Sequence, residues 1–213
     1  MPEKKEALLQ FHKERILCAA KQLFSEKGEA GTSMDDIAAR ADYSKSTIYV
    51  YFSGKEDIQS HLVLEDMLAI QRGIALCLSE NAALEPRYFA VCRLLETLSR
   101  LDPQFLSRVL GSISVDEGDF NRLPVLKQIY DVGEQTNRLI ERMFSEAIAA
   151  GEANADLEPV QAGLVFWSSI CSLIAFSANK DGYLQKNFAM SSEAFLEYGL
   201  RLLLRSVRKE NET

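Results

Sequence analysis

The chain of 213 residues is long enough for a small domain joined to a larger one. Apolar residues form 47% of the chain and charged residues 26%, which is typical of a soluble globular protein. The formal net charge is −7, most of it from residues after position 60, so bulk charge by itself does not indicate nucleic-acid binding.

The cysteines argue against a metal site. They are Cys18, Cys77, Cys92 and Cys171, and no pair has the C-x-x-C spacing of a zinc site. We therefore expect free thiols in a reducing cytoplasm, with no disulfide framework, metal or cofactor. The charged N-terminus lacks the apolar segment of a signal peptide, so we expect a cytoplasmic protein.

The N-terminal quarter is predicted to hold three helices. Apolar residues at helical spacing predict the first helix over residues 5–27. Ser33 is a suitable N-cap for a second helix that runs to about Ala41, and Ser44 is one for a third helix over residues 45–51.

Two further signals surround the third helix. Asp42 and Tyr43 form a tight turn, in which Asp42 is expected to take a left-handed backbone conformation. The S-x-x-E pattern from Ser53 to Glu56 predicts a capping box, which opens a fourth helix that links two domains.

The remainder of the chain also has helical periodicity, and no alternating strand pattern occurs. A long helix is predicted over residues 122–150, with loops at 111–121 and 180–187. The sequence therefore predicts an all-α fold of about nine helices. It divides into a small N-terminal helical domain over residues 1–56 and a larger helical domain over residues 57–213.

Residues 159–179 carry no charge and are long enough to span a bilayer. They include several serines, however, and amphipathic helices flank them. We therefore expect no membrane partner, and instead a helix buried on nearly all sides within the protein or an oligomer. The predicted interface of a twofold homodimer contains Phe166, Ile170, Ile174, Phe195 and Leu203.

Two short helices joined by a three-residue turn have the geometry of a helix-turn-helix, whose second helix reads the DNA major groove. A lysine can bind guanine or phosphate, hydroxyl groups can bind bases or backbone, and valine can contact a thymine methyl group. Tyr51 either contacts phosphate or packs inward, and Arg40 is expected on the back of the second helix. The predicted DNA-binding residues are Ser33, Ser44, Lys45, Ser46, Thr47, Tyr49, Val50, Tyr51 and Lys55.

The same segment resembles a known family. Residues 33–58 read S-M-D-D-I-A-A-R-A-D-Y-S-K-S-T-I-Y-V-Y-F-S-G-K-E-D-I, and residues 16–28 read I-L-C-A-A-K-Q-L-F-S-E-K-G. Together they resemble the N-terminal signature of the tetracycline-repressor (TetR) family of bacterial regulators. Many members have glycine at the positions of Asp42 and Ser46, and a histidine or polar residue at Val50. Because two of these departures lie on the reading face, the operator sequence cannot be transferred from a relative.

The resemblance implies a transcriptional regulator with a helix-turn-helix DNA-binding domain over residues 1–56 and a helical ligand-binding and dimerisation domain over residues 57–213. In the family, the last two helices form a four-helix dimer interface and a ligand binds between helices of the larger domain. Candidate ligand contacts are Tyr88, Tyr130, Asn137, Phe144, Phe166 and Trp167, although aromatic residues at helical spacing also fit a packed core.

The sequence therefore predicts a cytoplasmic, homodimeric repressor that a small-molecule effector releases from a near-palindromic operator in double-stranded DNA. A helical adaptor that uses its N-terminal bundle for protein contacts is the alternative. No glycine-rich phosphate loop and no histidine paired with a nucleophile is evident, so we do not expect an enzyme.

Overall fold

The computed structural model describes residues 2–79 and 82–209. These residues form ten α-helices and no β-strand, which confirms the predicted all-α class. The helices are α1 Pro2–Lys27, α2 Met34–Ala41, α3 Lys45–Tyr51, α4 Lys55–Cys77, α5 Leu84–Leu101, α6 Phe105–Val109, α7 Glu117–Arg122, α8 Pro124–Ala149, α9 Pro159–Phe188 and α10 Ser192–Val207.

The chain divides into two compact units. The first contains residues 1–67 and 111–130, and the second contains residues 68–110 and 131–213. The divisions at residues 67 and 130 fall inside α4 and α8, so each of these helices contributes to both units. The domain boundary predicted between residues 56 and 57 stays a prediction.

The core of the first unit joins α1, α2, α3 and the start of α4. Ile16, Ile37 and Ile48 are fully buried in it, and Phe52 is 1% exposed. Ala38 faces this core with only a methyl group, which lets α2 approach its neighbours closely. Burial of each larger side chain contributes about 1.5–3 kcal/mol, and these contacts hold the short helices α2 and α3 against α1 and α4.

Most of the predicted helix ends in this unit are confirmed. The Ser33 hydroxyl accepts a hydrogen bond from the Asp36 amide, and the Asp36 carboxylate accepts one from the Ser33 amide, so a capping box begins α2. Asp42 has φ 59° and ψ 45°, the expected left-handed conformation. The Ser44 hydroxyl accepts a hydrogen bond from the Thr47 amide and caps α3.

The capping box predicted for α4 is wrong in its acidic partner. The amide and hydroxyl of Ser53 both donate to the Asp57 carboxylate rather than to Glu56. Glu56 instead forms a two-pronged ion pair with Arg122 of α7, with both N–O distances at 2.8 Å. Glu56 and Asp57 are both acidic residues in the first turn of α4. The sequence alone could not show that the distant Arg122 binds Glu56 and leaves Asp57 to bind Ser53.

An aromatic cluster forms the core of the second unit. The Phe166 ring of α9 lies 5.1 Å from Tyr88 of α5 and 5.6 Å from Phe144 of α8, both in edge-to-face geometry. The Tyr88 hydroxyl donates to the Leu200 carbonyl of α10 at 2.7 Å, and burial raises its pKa far above the usual value. This cluster therefore joins α5, α8, α9 and α10.

Two of the predicted loops are partly helical. The segment predicted as a loop at 180–187 continues α9, which ends only where Ala189 takes φ 50°. Polar side chains there lie on exposed faces of the helix while Leu184 is buried, so polarity marked solvent exposure and not the end of the helix. Within the predicted loop 111–121, Asp116 caps the short helix α7.

Helix α9 buries one side only. Its inner residues pack against α5 and α10, whereas Leu164, Val165 and Phe176 remain exposed. The expectation of a helix buried on nearly all sides is therefore not met within a single chain. Length and composition alone would also allow α9 to cross a membrane, which is weak evidence beside its packing in a helical core.

Candidate nucleic-acid interface

Helix α3 has one buried face and one exposed face. Ile48 points into the core of the first unit and is 0% exposed, whereas Tyr49 is 49% and Val50 75% exposed. Lys45 lies one turn before Tyr49 and is also exposed. The structure therefore presents predicted DNA-binding residues on a solvent-facing surface of α3.

Hydroxyl groups cluster at the first turn of α3. The Ser44 hydroxyl oxygen lies 2.8 Å from that of Ser46 and 2.7 Å from that of Thr47. Since each hydroxyl can both donate and accept, this cluster can pass a hydrogen bond outward to a base edge or a phosphate oxygen.

Lys45 is held by a carboxylate from the neighbouring helix. Its Nζ lies 2.8 Å from Asp35 Oδ2 in the first turn of α2, and both side chains are exposed. The hydrogen bond to Asp35 raises the pKa of Lys45, so the ammonium group remains charged. If Lys45 binds DNA, as the sequence predicts, a phosphate or a guanine would have to compete with this carboxylate.

Lys55 connects the start of α4 to the loop between α1 and α2. Its Nζ donates to the Glu29 carbonyl at 2.7 Å and to the Thr32 carbonyl at 3.0 Å. The Thr32 hydroxyl in turn donates to the Gly28 carbonyl, which closes this loop. An ammonium group has three donors, so one remains for a phosphate.

The structure places Ser33 and Tyr51 in supporting positions. The Ser33 hydroxyl donates to the Asp36 carboxylate, and Lys27 also binds that carboxylate at 2.8 Å. The bonds from Lys27 and Ser33 hold the pKa of Asp36 well below its usual range. Tyr51 packs against the core of the first unit, which is the inward alternative.

Arg40 lies away from the exposed face of α3. It forms a two-pronged ion pair with Glu26 of α1, at 2.8 and 2.9 Å, and these bonds raise the pKa of the guanidinium group. This placement agrees with the expectation that Arg40 lies on the back of α2.

His12, Arg15 and Tyr43 form a brace that sequence reasoning missed. His12 Nδ1 lies 2.6 Å from the Tyr43 hydroxyl oxygen, and the Arg15 guanidinium lies 4.9 Å from the centre of the Tyr43 ring. Arg15 also donates to the Ala41 carbonyl at 2.9 Å. The available signal was a tyrosine in the tight turn after α2.

The predicted ligand-binding residues occupy different environments. Tyr88, Phe144 and Phe166 pack on one another in the core of the second unit. Tyr130 belongs to the first unit, where its ring contacts Phe120. Asn137 is exposed and donates to Glu134, and Trp167 is half-buried. The structure therefore does not bring the six residues together around one cavity, and their role in binding stays a prediction.

The predicted dimer residues on α9 lie on the wrong face of that helix. Phe166, Ile170 and Ile174 are at most 3% exposed and pack inside the chain, where a partner cannot reach them. The sequence of α9 has apolar residues on several faces, so periodicity could not distinguish the inner face from the outer one. Phe195 and Leu203 of α10 are half-buried and border an exposed apolar groove.

Comparison with known proteins identifies the helical head described above. Residues 16–61 match the model of the bacterial regulatory proteins of the tetR family. These residues contain the C-terminal part of α1, all of α2 and α3, and the start of α4. The chain therefore carries the N-terminal domain of the tetR family. It is a DNA-binding transcriptional regulator, as the sequence predicts.

TetR-family relatives match different lengths of the chain. The transcriptional repressor DhaR of Mycobacterium sp. strain GP1 is 29% identical over 143 residues, which cover 65% of this chain and 68% of DhaR. The probable regulator YttP of Bacillus subtilis is 43% identical over 53 residues, which cover 25% of this chain and 26% of YttP. The more identical relative therefore matches the shorter part of the chain.

Most of the chain has the fold of solved transcriptional regulators, among them one of the TetR/AcrR family. The transcriptional regulator FadR of Bacillus subtilis, solved in complex with stearoyl-CoA, superposes with a TM-score of 0.67 at 20% identity. The superposition covers 90% of this chain and 97% of FadR. At this identity the likeness shows a shared fold alone.

We predict that Asp35→Asn tightens DNA binding about two- to fivefold, because an exposed ion pair contributes about 0.2–1 kcal/mol and its loss frees Lys45 for DNA. Fluorescence anisotropy with labelled operator DNA measures the change. Asp42→Asn is the matched control, since it removes the same charge from the same motif at a left-handed position that asparagine tolerates. Equal tightening by both variants would show a general charge effect and not competition for Lys45.

We predict that Lys55→Met weakens binding to all DNA sequences and flattens the log–log salt dependence by about 0.9, the contribution of one phosphate contact. The measurement is a series of affinities at increasing salt concentration. A weaker affinity with an unchanged salt slope would mean that Lys55 only braces the carbonyls of Glu29 and Thr32.

Proposed function

We propose that the protein is a homodimeric, cytoplasmic repressor that binds a near-palindromic operator and leaves it when a small-molecule effector binds the second unit. The outward face of α3, with Lys45, Tyr49 and Val50 exposed over a buried Ile48, carries this proposal. The relative DhaR is named as a transcriptional repressor, which supports repression over activation.

An exposed apolar groove between α9 and α10 supports the dimer. We name it the α9–α10 groove, and it has a volume of about 570 Å³ with almost entirely apolar walls. Gly199 lies so close to Leu173 that an added Cβ would fall 2.8 Å from its Cδ2, so the two helices approach closely here. The lining residues are Ser169, Ser172, Leu173, Phe176, Phe195, Gly199, Leu202, Leu203 and Ser206.

A twofold partner on this groove would explain the operator symmetry. Exposed apolar groups on a monomer are removed from water when the same surface of a second copy covers them. Such a dimer presents two α3 helices about 34 Å apart, or a multiple of that distance, which matches half-sites separated by whole DNA turns.

The effector is proposed to bind in the second unit, where α5, α6, α9 and α10 enclose a cavity of about 500 Å³. This volume is within the range of small-molecule sites. Its walls combine apolar groups such as Leu106 and Ile174 with polar ones such as Ser99, Asn179 and Glu193. The fold neighbour FadR was solved with stearoyl-CoA bound, which supports a ligand-responsive second unit.

Release from the operator would follow from linkage between the two ligands. An effector shifts the protein toward a second arrangement only by its difference in affinity for the two arrangements. Bound DNA must then weaken effector binding by the same factor as the effector weakens DNA binding. If the protein were instead a helical adaptor, neither DNA nor the effector would change the affinity for the other. We expect no catalytic activity.

We predict that purified protein selects a near-palindromic sequence from random DNA and binds it with a steep salt dependence. Each phosphate contact contributes about −0.9 to the log–log slope, so several contacts give a slope of several units. Selection followed by gel shifts tests this, with a scrambled sequence of the same composition as control. Failure to enrich any sequence would favour the adaptor.

We predict that Leu202→Asp converts the dimer to a monomer, because it places a charge in the apolar α9–α10 groove. Operator affinity should fall by about 10²-fold or more, since two linked half-site contacts become separate ones. Analytical ultracentrifugation and gel shifts measure the two effects. Leu101→Asp at the end of α5, where the leucine is 78% exposed, is the matched control. A dimeric Leu202→Asp variant would place the interface elsewhere.

A further inference from the structure

A concave site separate from the α9–α10 groove and the proposed effector cavity lies between the C-terminal part of α4 and the middle of α8. We name it the α4–α8 groove, and all its lining residues belong to the second unit. Its volume is about 720 Å³, and none of its residues lines the cavity bounded by α5, α6, α9 and α10. The lining residues are Gln71, Arg72, Ala75, Gln135, Arg138, Leu139, Glu141, Arg142 and Ser145.

Three arginines in this groove have no carboxylate partner within the described part of the chain. They are Arg72 on α4 and Arg138 and Arg142 on α8. Many arginines elsewhere in this acidic protein form ion pairs, including Arg40 with Glu26 and Arg122 with Glu56. What distinguishes the groove is that three arginines without such a pair line one concave surface, in a chain with a formal net charge of −7.

Carboxylates on α8 are close enough along the helix to neutralise these arginines, but they are bound or directed elsewhere. Glu146, four residues after Arg142, binds Arg87 of α5 at 2.6 Å. Glu134, four residues before Arg138, accepts a hydrogen bond from Asn137. Glu141 lines the groove without forming an ion pair in the described structure. The groove therefore has three cations against one carboxylate.

The arginines on α8 also lie in an unfavourable arrangement. Arg138 and Arg142 are four residues apart, so they share one face of the helix and repel each other. Arg72 adds a third positive charge from the facing helix. A bound anion would relieve this repulsion, and the planar guanidinium group matches the oxygens of a phosphate in a two-pronged geometry.

Amides connect the two helices beside the arginines. Gln71 of α4 donates to Gln135 of α8 at 2.5 Å, which sets the two walls of the groove next to each other. The Ser145 hydroxyl is a further donor, and Ala75 and Leu139 add apolar surface. The lining can therefore bind several phosphate oxygens and an adjoining uncharged group.

We propose that the α4–α8 groove binds a small molecule that carries phosphate groups, with Arg72, Arg138 and Arg142 as its anchors. The ligand spans α4 and α8, whose earlier residues belong to the DNA-binding unit. The site is separate from the proposed effector cavity, and phosphate binding to it is measured without DNA. A negative result would therefore contradict this proposal without contradicting the proposed repression.

Isothermal titration of the full-length protein with inorganic pyrophosphate at constant ionic strength tests the proposal. Wild-type protein is expected to bind pyrophosphate saturably. Arg138→Gln should weaken binding about tenfold or more, the effect of losing a charge-assisted hydrogen bond. Arg93→Gln is the matched control, because Arg93 is an exposed arginine on α5 outside the groove.

Several results would overturn the proposal. They are the absence of saturable binding to wild-type protein, equal affinity of wild type and Arg138→Gln, and equal weakening by Arg138→Gln and Arg93→Gln. Binding of citrate in place of pyrophosphate would also contradict it, because the site would then select carboxylates. Circular dichroism verifies folding, and Arg72→Gln on α4 provides the same test if Arg138→Gln does not fold.

Discussion

The candidate DNA-binding surface depends on the burial of one side of a helix that is too short to be stable alone. Helix α3 has seven residues, far fewer than an isolated helix needs for stability in water. Ile48 and Phe52 attach it to the core of the first unit, and the Ser44 hydroxyl caps its first turn. Because the inner face provides the stability, the outer face is free to carry residues selected for contact with DNA.

The contrast between a buried face and an exposed face also explains how much of the structure could be predicted from the sequence. Helix ends at Ser33, Asp42 and Ser44 depend on local rules of capping and backbone conformation, and those predictions are confirmed. The buried faces of α2 and α3 could also be predicted from the sequence, because each helix has a single apolar stripe. The predictions made for α9 failed on the choice of face, since its apolar residues surround the helix and only the packing of Phe166 selects the inner side.

Long-range polar contacts were outside the reach of sequence reasoning. Lys45 pairs with Asp35 ten residues earlier, and Lys55 binds the Glu29 carbonyl 26 residues earlier. Such contacts depend on how helices pack, and neither residue type nor spacing reveals them. They change the electrostatics of the candidate interface, because each cation proposed to bind DNA already has an intramolecular partner. The first unit therefore does not present an unpaired positive surface. DNA binding would require Lys45 and Lys55 to exchange or share their intramolecular partners.

The contact of Arg15 with the Ala41 carbonyl makes the reading motif dependent on a helix outside it. Arg15 and His12 of α1 hold the last residue of α2 and the Tyr43 ring, so the angle between the two helices of the motif is fixed from α1. A graft of residues 33–52 onto another scaffold would therefore transfer the side chains without the orientation in which they act. Engineering of altered operator preference would need to carry α1 along, and sequence drift in α1 could retune recognition without any change at a base-contacting position.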